Sequence, residues 1–287
     1  MEEETESGQR PRASSGYFVG AASSSLSTLA TFPIHKTIFR QQLHNFSITE
    51  AVRQLYHEGF RQIYRGALPP LLIKTLQGTL LFGTYESFCG SLPAQPLAPW
   101  SRRAVAGLFS GFVEALVFCP LERVQNVLQD GRKVQRFPTT RHILATFRSY
   151  PLGESVRLGF YRGLGLLLVR NGLGSSLYFA LQEPLRGRLS TESLPVAIPA
   201  FLSGSLTGTL VSLLLYPLGL LITNLQSQVG RPETLGLLAT MAKVWQARGR
   251  RPLLLYRGGS LLILRSSVSW GFTTAIYQYL SQPKGWL

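Results

Sequence analysis

A proline followed nine residues later by a glutamine recurs three times along this chain of 287 residues. The three pairs are Pro33 with Gln42, Pro120 with Gln129, and Pro217 with Gln226. Repetition at a spacing of roughly 90 to 100 residues indicates three copies of one structural unit. Each proline lies in an apolar stretch, where it would kink a helix by removing a backbone donor. The pattern therefore predicts three kinked helices at equivalent positions.

A second signal follows each pair, a tyrosine-arginine-glycine triplet that precedes the next apolar stretch. The triplets are Tyr64, Arg65 and Gly66; Tyr161, Arg162 and Gly163; and Tyr256, Arg257 and Gly258. Because each triplet opens a predicted helix, unpaired backbone amides and the helix dipole favour an anion there, and the arginine adds positive charge. The triplets are therefore candidate sites for an anionic group.

The composition is that of a membrane protein, because 45% of the residues are hydrophobic and only 15% are charged, against the usual quarter. A mean hydropathy of +0.12 is low for a protein embedded in lipid, which favours helices that have one polar face. Six apolar stretches are candidate spans, at residues 16–32, 67–88, 104–119, 164–182, 199–222 and 259–280. We therefore predict an all-α membrane protein with six transmembrane helices.

The net charge of +15 does not indicate a nucleic-acid-binding domain, which would carry its charge on one face of a soluble fold. Instead, 19 of the 29 lysine and arginine residues lie in three segments, 34–65, 121–162 and 218–257. These segments alternate with the other loops, so they share one side of the membrane. By the positive-inside tendency that side is the matrix or cytosolic side.

Three cations break the apolar stretches that follow the triplets. Lys74, Arg170 and Arg265 each lie seven or eight residues after a triplet glycine. A charge at the bilayer midplane costs roughly 2.5–3.5 kcal/mol, so such residues usually face a partner or a water-filled cavity. Three of them at equivalent positions predict one shared cavity. Glu114 is the one acid well inside a span and is the expected counter-charge.

The spacing of these signals resembles that of the mitochondrial carrier family, solute carrier family 25, over about residues 16–281. The segments "PLERVQNVLQD", "VRNGL" and "RSSVSWG" resemble its subgroup that contains the mitochondrial NAD carriers. The resemblance implies six transmembrane helices in three pseudo-symmetric repeats, which form a barrel around a central cavity with short amphipathic matrix helices. The repeats are expected at 16–98, 99–194 and 195–287, after a disordered tail at 1–15. Both termini are expected in the intermembrane space.

The same resemblance assigns midplane solute contacts to each repeat. The substrate-binding candidates are Lys74, Glu114, Arg170, Asn171, Arg265, Ser266 and Trp270. The three cations suit phosphate oxygens, with which arginine can form paired hydrogen bonds. Glu114 either faces a cationic ring of the solute or pairs with Lys74 or an arginine. Trp270 either stacks on a base or packs in the core. In this family the triplets hold cardiolipin.

The chain departs from its family at the gates. Carriers usually close the matrix side with an acid two residues after each proline and a base five residues after it. These positions are occupied by His35 and Ile38, Glu122 and Gln125, and Gly219 and Ile222. Only one of six charges is therefore present, so apolar contact and hydrogen bonds from glutamines would replace the ion pairs. On the opposite side the corresponding residues include Glu86, Glu183 and Arg186, and an ion pair of Glu86 with Arg186 is expected.

Two functions follow from these features. The first is a monomeric carrier of the mitochondrial inner membrane that moves an anionic nucleotide-like or dinucleotide (NAD-like) solute by alternating access. The second is a carrier-fold protein that has lost transport and serves as a binding or scaffold protein. The four histidines, His35, His44, His57 and His142, are too scattered for a catalytic triad or a zinc site. We therefore expect no enzymatic activity, no cofactor and no metal.

Overall fold

The computed structural model describes residues 13–93, 98–189, 197–230, 234–266, 268 and 269, and within them it contains helices and no strand. Eleven helices are bounded as follows: α1 Ala13–His44, α2 Ile48–Glu58, α3 Phe60–Ile63, α4 Leu68–Ser91, α5 Pro99–Gln129, α6 Thr140–Arg148, α7 Leu152–Glu154, α8 Leu164–Leu189, α9 Ala197–Leu214, α10 Tyr216–Ser227 and α11 Leu237–Ala247. A last helix, α12, is described over 259–266 and 268–269. The prediction of an all-α fold is confirmed.

The long helices follow one another around a ring. Helix α4 packs between α1 and α5, α8 packs against α5, and α9 packs against α8. The ring closes where the Ser27 hydroxyl of α1 donates a hydrogen bond to the Ser269 carbonyl of α12, over 2.8 Å. The first and third repeats are therefore neighbours although they lie at opposite ends of the chain.

Within the described ranges two helices, α5 and α8, are long and apolar enough to cross a membrane, and α9 with α10 forms a third candidate that is bent by 62°. Helix α1 has 32 residues and α4 has 24. At 1.5 Å per residue both exceed the hydrocarbon thickness of about 30 Å. The charges of Lys74 and Glu86 reduce the hydropathy of α4. The sixth expected span, 259–280, is described only as far as residue 269.

The three prolines have different local consequences. Helices α1 and α5 continue through Pro33 and Pro120 as single elements. At Pro217 the chain leaves helical geometry at Leu215, and the 62° bend separates α9 from α10. The Thr37 hydroxyl donates to the Pro33 carbonyl over 2.9 Å within α1. Kinking is therefore pronounced in the third repeat.

One helix of 9 to 11 residues lies in each of the three basic segments, namely α2, α6 and α11. Each buries two side chains that are four residues apart and therefore share one helix face. These pairs are Ala51 with Leu55, Ile143 with Phe147, and Thr240 with Val244. The short amphipathic helices that were predicted are present. The expected tail falls largely on residues 1–12, outside the described part, and α1 begins at Ala13.

Candidate functional site

Arg170 of α8 is held by the carboxylate at a gate position. Its Nη2 atom lies 3.3 Å from Glu122 Oε1 of α5, and both side chains are half-buried. Its Nε donates to Asn171 Oδ1 over 2.9 Å. The amide nitrogen of Asn171 is buried and has no hydrogen-bond partner among the residues that the structure describes. Arg170 and its neighbour are therefore fixed on the cavity side of the gate, with one donor unused.

His35 links all three repeats. Its Nδ1 lies 2.7 Å from Arg265 Nη1, and its Nε2 lies 2.9 Å from the side-chain amide of Gln125. Because an arginine only donates, Nδ1 accepts and carries no proton. In a neutral ring the proton is then on Nε2, so we assign the amide oxygen of Gln125 to the position facing it. A neutral His35 therefore accepts a hydrogen bond from Arg265 of the third repeat and donates one to Gln125 of the second.

Lys74 and Glu114 are joined through a glutamine that the sequence analysis did not single out. Lys74 Nζ donates to Gln77 Oε1 over 3.1 Å, and Gln77 Nε2 donates to Glu114 Oε1 over 2.5 Å. Gln77 follows Lys74 by one turn of α4, whereas Glu114 lies on α5. The side-chain amide of Gln77 therefore separates the Lys74 ammonium from the Glu114 carboxylate, which was a candidate partner of Lys74.

These groups act on one another electrostatically across the three repeats. Lys74 interacts with the charges of Arg265, Glu114, Arg170 and Glu122. These side chains come from all three repeats, and a shared role in binding a solute stays a prediction. Ser266 is half-buried beside Arg265, and Trp270 lies outside the described residues.

The remaining gate positions are apolar or empty. Ile38 and Ile222 are 4% and 1% exposed, and Ile222 packs in a cluster with Cys119 and Leu167. A Cβ added at Gly219 would meet nothing within 4 Å. The contact of His35 with Gln125 joins the position two after one proline to the position five after the next. By the pseudo-threefold repeat, the equivalent contacts would pair Glu122 with Ile222 and Gly219 with Ile38.

At the opposite end of the barrel, Arg186 Nη1 lies 3.7 Å from Glu183 Oε1, one turn away on α8. Glu86 lies on α4 and is exposed. An exposed pair one helical turn apart contributes about 0.3–0.5 kcal/mol, so this ion pair is a weak element of closure.

The triplet arginines join each repeat to the next. Arg65 donates to the Phe137 carbonyl of the second repeat. Arg162 donates to the Leu225 carbonyl over 2.9 Å, to Gln228 Oε1 over 2.8 Å and to the Leu235 carbonyl over 2.7 Å, all in the third. Arg257 returns to the first repeat, with Nη1 3.2 Å from Asn45 Oδ1. The three arginines therefore tie the repeats into a closed circle on the side of the basic segments.

The triplet glycines lie at the same contacts between neighbouring repeats. All three have positive φ angles, between 80° and 102°. A Cβ at Gly66 would lie 3.0 Å from Leu128 Cβ and 3.5 Å from Gln129, and one at Gly163 would lie 3.4 Å from Gln226. In two of the three junctions the repeated glutamine of one unit therefore packs against the triplet glycine of the preceding unit, whereas Gly258 meets Gln41, the residue before the repeated glutamine.

Burial lowers the pKa of Arg65, of Arg162 and of Arg248, because each guanidinium is partly removed from water. Their carbonyl and amide acceptors offset that cost. Arg248 had no sequence signal, since it follows α11 outside the repeated positions. It donates to the Leu254 carbonyl over 2.7 Å and to the Gln41 carbonyl over 2.7 Å, which ties the third repeat to the first.

No group of three or more histidine, cysteine, aspartate or glutamate side chains suited to a metal ion occurs in the described ranges. Cys119 is buried and Cys89 is half-buried, and both are free thiols. The polar groups that converge in the cavity are therefore cations, two carboxylates and amides, which suits non-covalent binding of an anion.

Comparison with known proteins gives the family. The model of the family described as "Mitochondrial carrier protein" matches residues 9–94, 97–193 and 196–283. The chain is 52% identical over 277 residues to human solute carrier family 25 member 53, an alignment that covers 96% of this chain and 90% of that protein. It is 37% identical over 267 residues to the human mitochondrial nicotinamide adenine dinucleotide transporter SLC25A51, covering 92% and 88%.

More distant relatives include the bovine mitochondrial 2-oxodicarboxylate carrier, which is 29% identical over 240 residues, covering 81% of this chain and 79% of that protein. The relatives are named as carriers and transporters, so the chain is placed among solute carriers rather than enzymes. The three matched segments and these identities show that the chain belongs to the mitochondrial carrier family, as a multi-pass solute carrier of the mitochondrial inner membrane.

Proposed function

We propose that this carrier moves an anionic nucleotide-like or dinucleotide solute by alternating access. The observation that carries the proposal is that Arg170 of the second repeat and Arg265 of the third lie within electrostatic range of Lys74 of the first. Three such charges facing lipid would cost roughly 8–10 kcal/mol, which is comparable to the stability of a whole domain. A cavity that binds an anion would place an opposite charge beside these three cations.

The charge balance favours a solute that carries both signs. With His35 neutral, the three cations face Glu114 and Glu122, which leaves a net charge of +1. A dinucleotide with two phosphates and one cationic ring has a net charge of −1 and offers a partner to each kind of group. SLC25A51, at 37% identity, is named as a transporter of such a compound. The NAD-like class is therefore the first choice for this cavity.

The contacts also suggest how solute binding is coupled to the gate. In this structure Arg170 is bound to Glu122, and Arg265 is bound to His35. A phosphate forms shorter, charge-assisted hydrogen bonds with arginine, often in pairs. When it draws the two arginines away, Glu122 and the His35–Gln125 contact lose their partners. Solute binding would thereby weaken the closed state and favour the opening of this side.

The test is transport by the purified protein in liposomes. Radiolabelled NAD, ADP and 2-oxoglutarate are offered to wild type and to Lys74→Ala, Arg170→Ala and Arg265→Ala, each checked for folding by its melting temperature. A charged hydrogen bond contributes about 1.5–3 kcal/mol, so each variant should lose roughly 10- to 100-fold in apparent affinity. Uptake of 2-oxoglutarate alone, or of nucleotides undiminished by the substitutions, would contradict the proposal.

The second function, binding without transport, is favoured by one observation. Among the six positions that close the matrix side in the family, Glu122 is the one that bears a family charge. The hydrogen-bonded contact through His35 favours transport, because it supplies a breakable closure where an ion pair is missing. Binding of nucleotides with no uptake across a broad solute panel would favour the scaffold over the carrier.

Lipid contacts and orientation are further parts of the proposal. Since the triplet guanidiniums of Arg65 and Arg162 already bind carbonyls, an acidic phospholipid such as cardiolipin would be held mainly by backbone amides at the start of α8, because Pro69 and Pro70 in the first turn of α4 have no N–H. Both termini are expected in the intermembrane space, and the carrier is expected to act as a monomer. Protease added after rupture of the outer membrane should remove a terminal tag, and a protected tag would contradict this orientation.

A further inference from the structure

Gln77 is a neutral group that links a cation to a carboxylate in the cavity. Its Oε1 accepts from Lys74 Nζ at 3.1 Å, and its Nε2 donates to Glu114 Oε1 at 2.5 Å. The two contacts fix the orientation of the amide, because the reverse orientation would turn the oxygen toward the carboxylate and the NH₂ group toward the ammonium. Gln77 is therefore held between two charges of opposite sign.

Both charged groups, the Lys74 ammonium and the Glu114 carboxylate, can form hydrogen bonds beyond the one that each shares with Gln77. Lys74 is exposed, and the ammonium has three donors of which Gln77 takes one. Glu114 is only 7% exposed, and its Oε2 has no hydrogen bond to any described residue. A direct ion pair between Lys74 and Glu114 would satisfy the two groups with each other. The intervening amide keeps the ammonium available to an anion and the carboxylate available to a cation.

We propose that Gln77 is a positioning residue for solute specificity, because it keeps Lys74 and Glu114 apart so that both can bind one solute that bears a phosphate and a fixed cation. The inference rests on the proposed function and names a residue that acts through its two neighbours. Shortening or removing the amide lets Lys74 and Glu114 pair directly. A solute must then break that pair, and the preference for a cationic ring is lost.

The experiment compares two probes that differ in the charge of one ring, oxidised NAD with its cationic nicotinamide and reduced NAD with a neutral one. Apparent Kd values are measured for the purified carrier from the dependence of its melting temperature on ligand concentration. Wild type should prefer the oxidised form. Gln77→Leu should reduce that preference about tenfold, the loss expected for one hydrogen bond to a charged group.

Three companion variants make the result specific. Thr75→Val, two residues away on the same helix, removes a hydroxyl that is bonded to the Leu71 carbonyl and should leave the preference unchanged. Gln77→Glu keeps the shape but attracts Lys74 and repels Glu114, so it should also lose the preference. In a Glu114→Gln background, Gln77→Leu should have no further effect, because the carboxylate on which it acts is absent.

An unchanged preference in both Gln77 variants, an equal loss for the two probes, or a full effect in the Glu114→Gln background would overturn the inference. Wild type that does not distinguish the probes would overturn it too. Uptake in liposomes separates this failure from that of the proposed function. A carrier that transports nucleotides without a Gln77-dependent preference refutes only the role of Gln77, whereas a protein that shows the preference without uptake refutes only transport.

Discussion

The guanidinium of Arg170 lies 3.3 Å from the carboxylate of Glu122, which joins a solute-binding candidate of one helix to the charged gate residue of another. Arg265 has the same relationship with His35. Two of the three candidate cations are therefore bonded to residues at gate positions. The solute-binding candidates and the gate positions are in direct contact in this chain, although most of the family's gate charges are missing.

Removal of the Glu122 charge should strengthen anion binding. Glu122→Gln leaves a neutral partner for Arg170, so an incoming phosphate no longer competes with a carboxylate. A gain of about 1 kcal/mol, or roughly fivefold in apparent Kd, is expected from the loss of one partly exposed ion pair. Ligand-dependent melting of the purified protein measures it. Glu50→Gln removes an exposed carboxylate of α2 and is the matched control, and equal affinities in the two variants would refute the competition.

Substitution of His35 should alter transport rate in a direction that depends on charge. His35→Glu places a carboxylate opposite Arg265, strengthens the closed state and slows uptake. His35→Ala removes the hydrogen bonds to Arg265 and Gln125, so it destabilises the closed state. Initial uptake rates at saturating solute measure both effects, with His57→Ala on the exposed face of α2 as control. Equal changes in the two variants would show that His35 is not part of the closure.

The triplet glycines should tolerate no side chain. Gly66→Ala places a Cβ 3.0 Å from Leu128 Cβ at a φ of +83°, where an alanine costs about 1–2 kcal/mol from the backbone alone. Gly165→Ala, within helix α8, meets nothing within 4 Å and should be neutral or slightly stabilising. Melting temperatures in detergent test the contrast. Identical melting temperatures for the two variants would argue against the glycine contact between repeats.

Arg162 should contribute to stability through the shape of its guanidinium as well as its charge. Arg162→Lys keeps the charge but cannot reach three acceptors on the third repeat, so a loss of about 2–4 kcal/mol is expected. Thermal unfolding with and without added cardiolipin measures it. Arg157→Lys, exposed and five residues earlier, is the control. If Arg162→Lys is as stable as wild type, the arginine serves lipid rather than the neighbouring repeat.

A shared location for Lys74, Arg170 and Arg265 was predictable from a repeated spacing and from the cost of placing charge within the bilayer, whereas their role in solute binding stays a prediction. The partner of Glu114 was not predictable. Gln77 carries no charge and lies 37 residues from Glu114, so no periodicity connects them. Anion binding at the triplets stays a prediction, and the structure adds that Arg65 and Arg162 are bonded to backbone carbonyls of the next repeat, which was not predicted. Every residue has a carbonyl, so such contacts leave no sequence signal.

The gate illustrates the same limit. Loss of five of six charges was evident from the residues, and the burial of Ile38 and Ile222 agrees with an apolar closure. The link from His35 to Arg265 was not predicted, because the two belong to different sequence patterns, the gate and the cavity. A hydrogen bond between such patterns becomes visible only when the helices are placed in space.

The central claim is that the three cavity cations bind an anionic solute and that its binding leads to transport. The most direct measurement is the initial rate of NAD uptake into liposomes that contain wild type, Arg265→Ala or the control Arg157→Lys. The account predicts saturable uptake by wild type and by the control, and a rate at least about tenfold lower for Arg265→Ala at subsaturating solute. Saturable uptake that persists in Arg265→Ala would contradict it, as would a wild type that takes up no nucleotide.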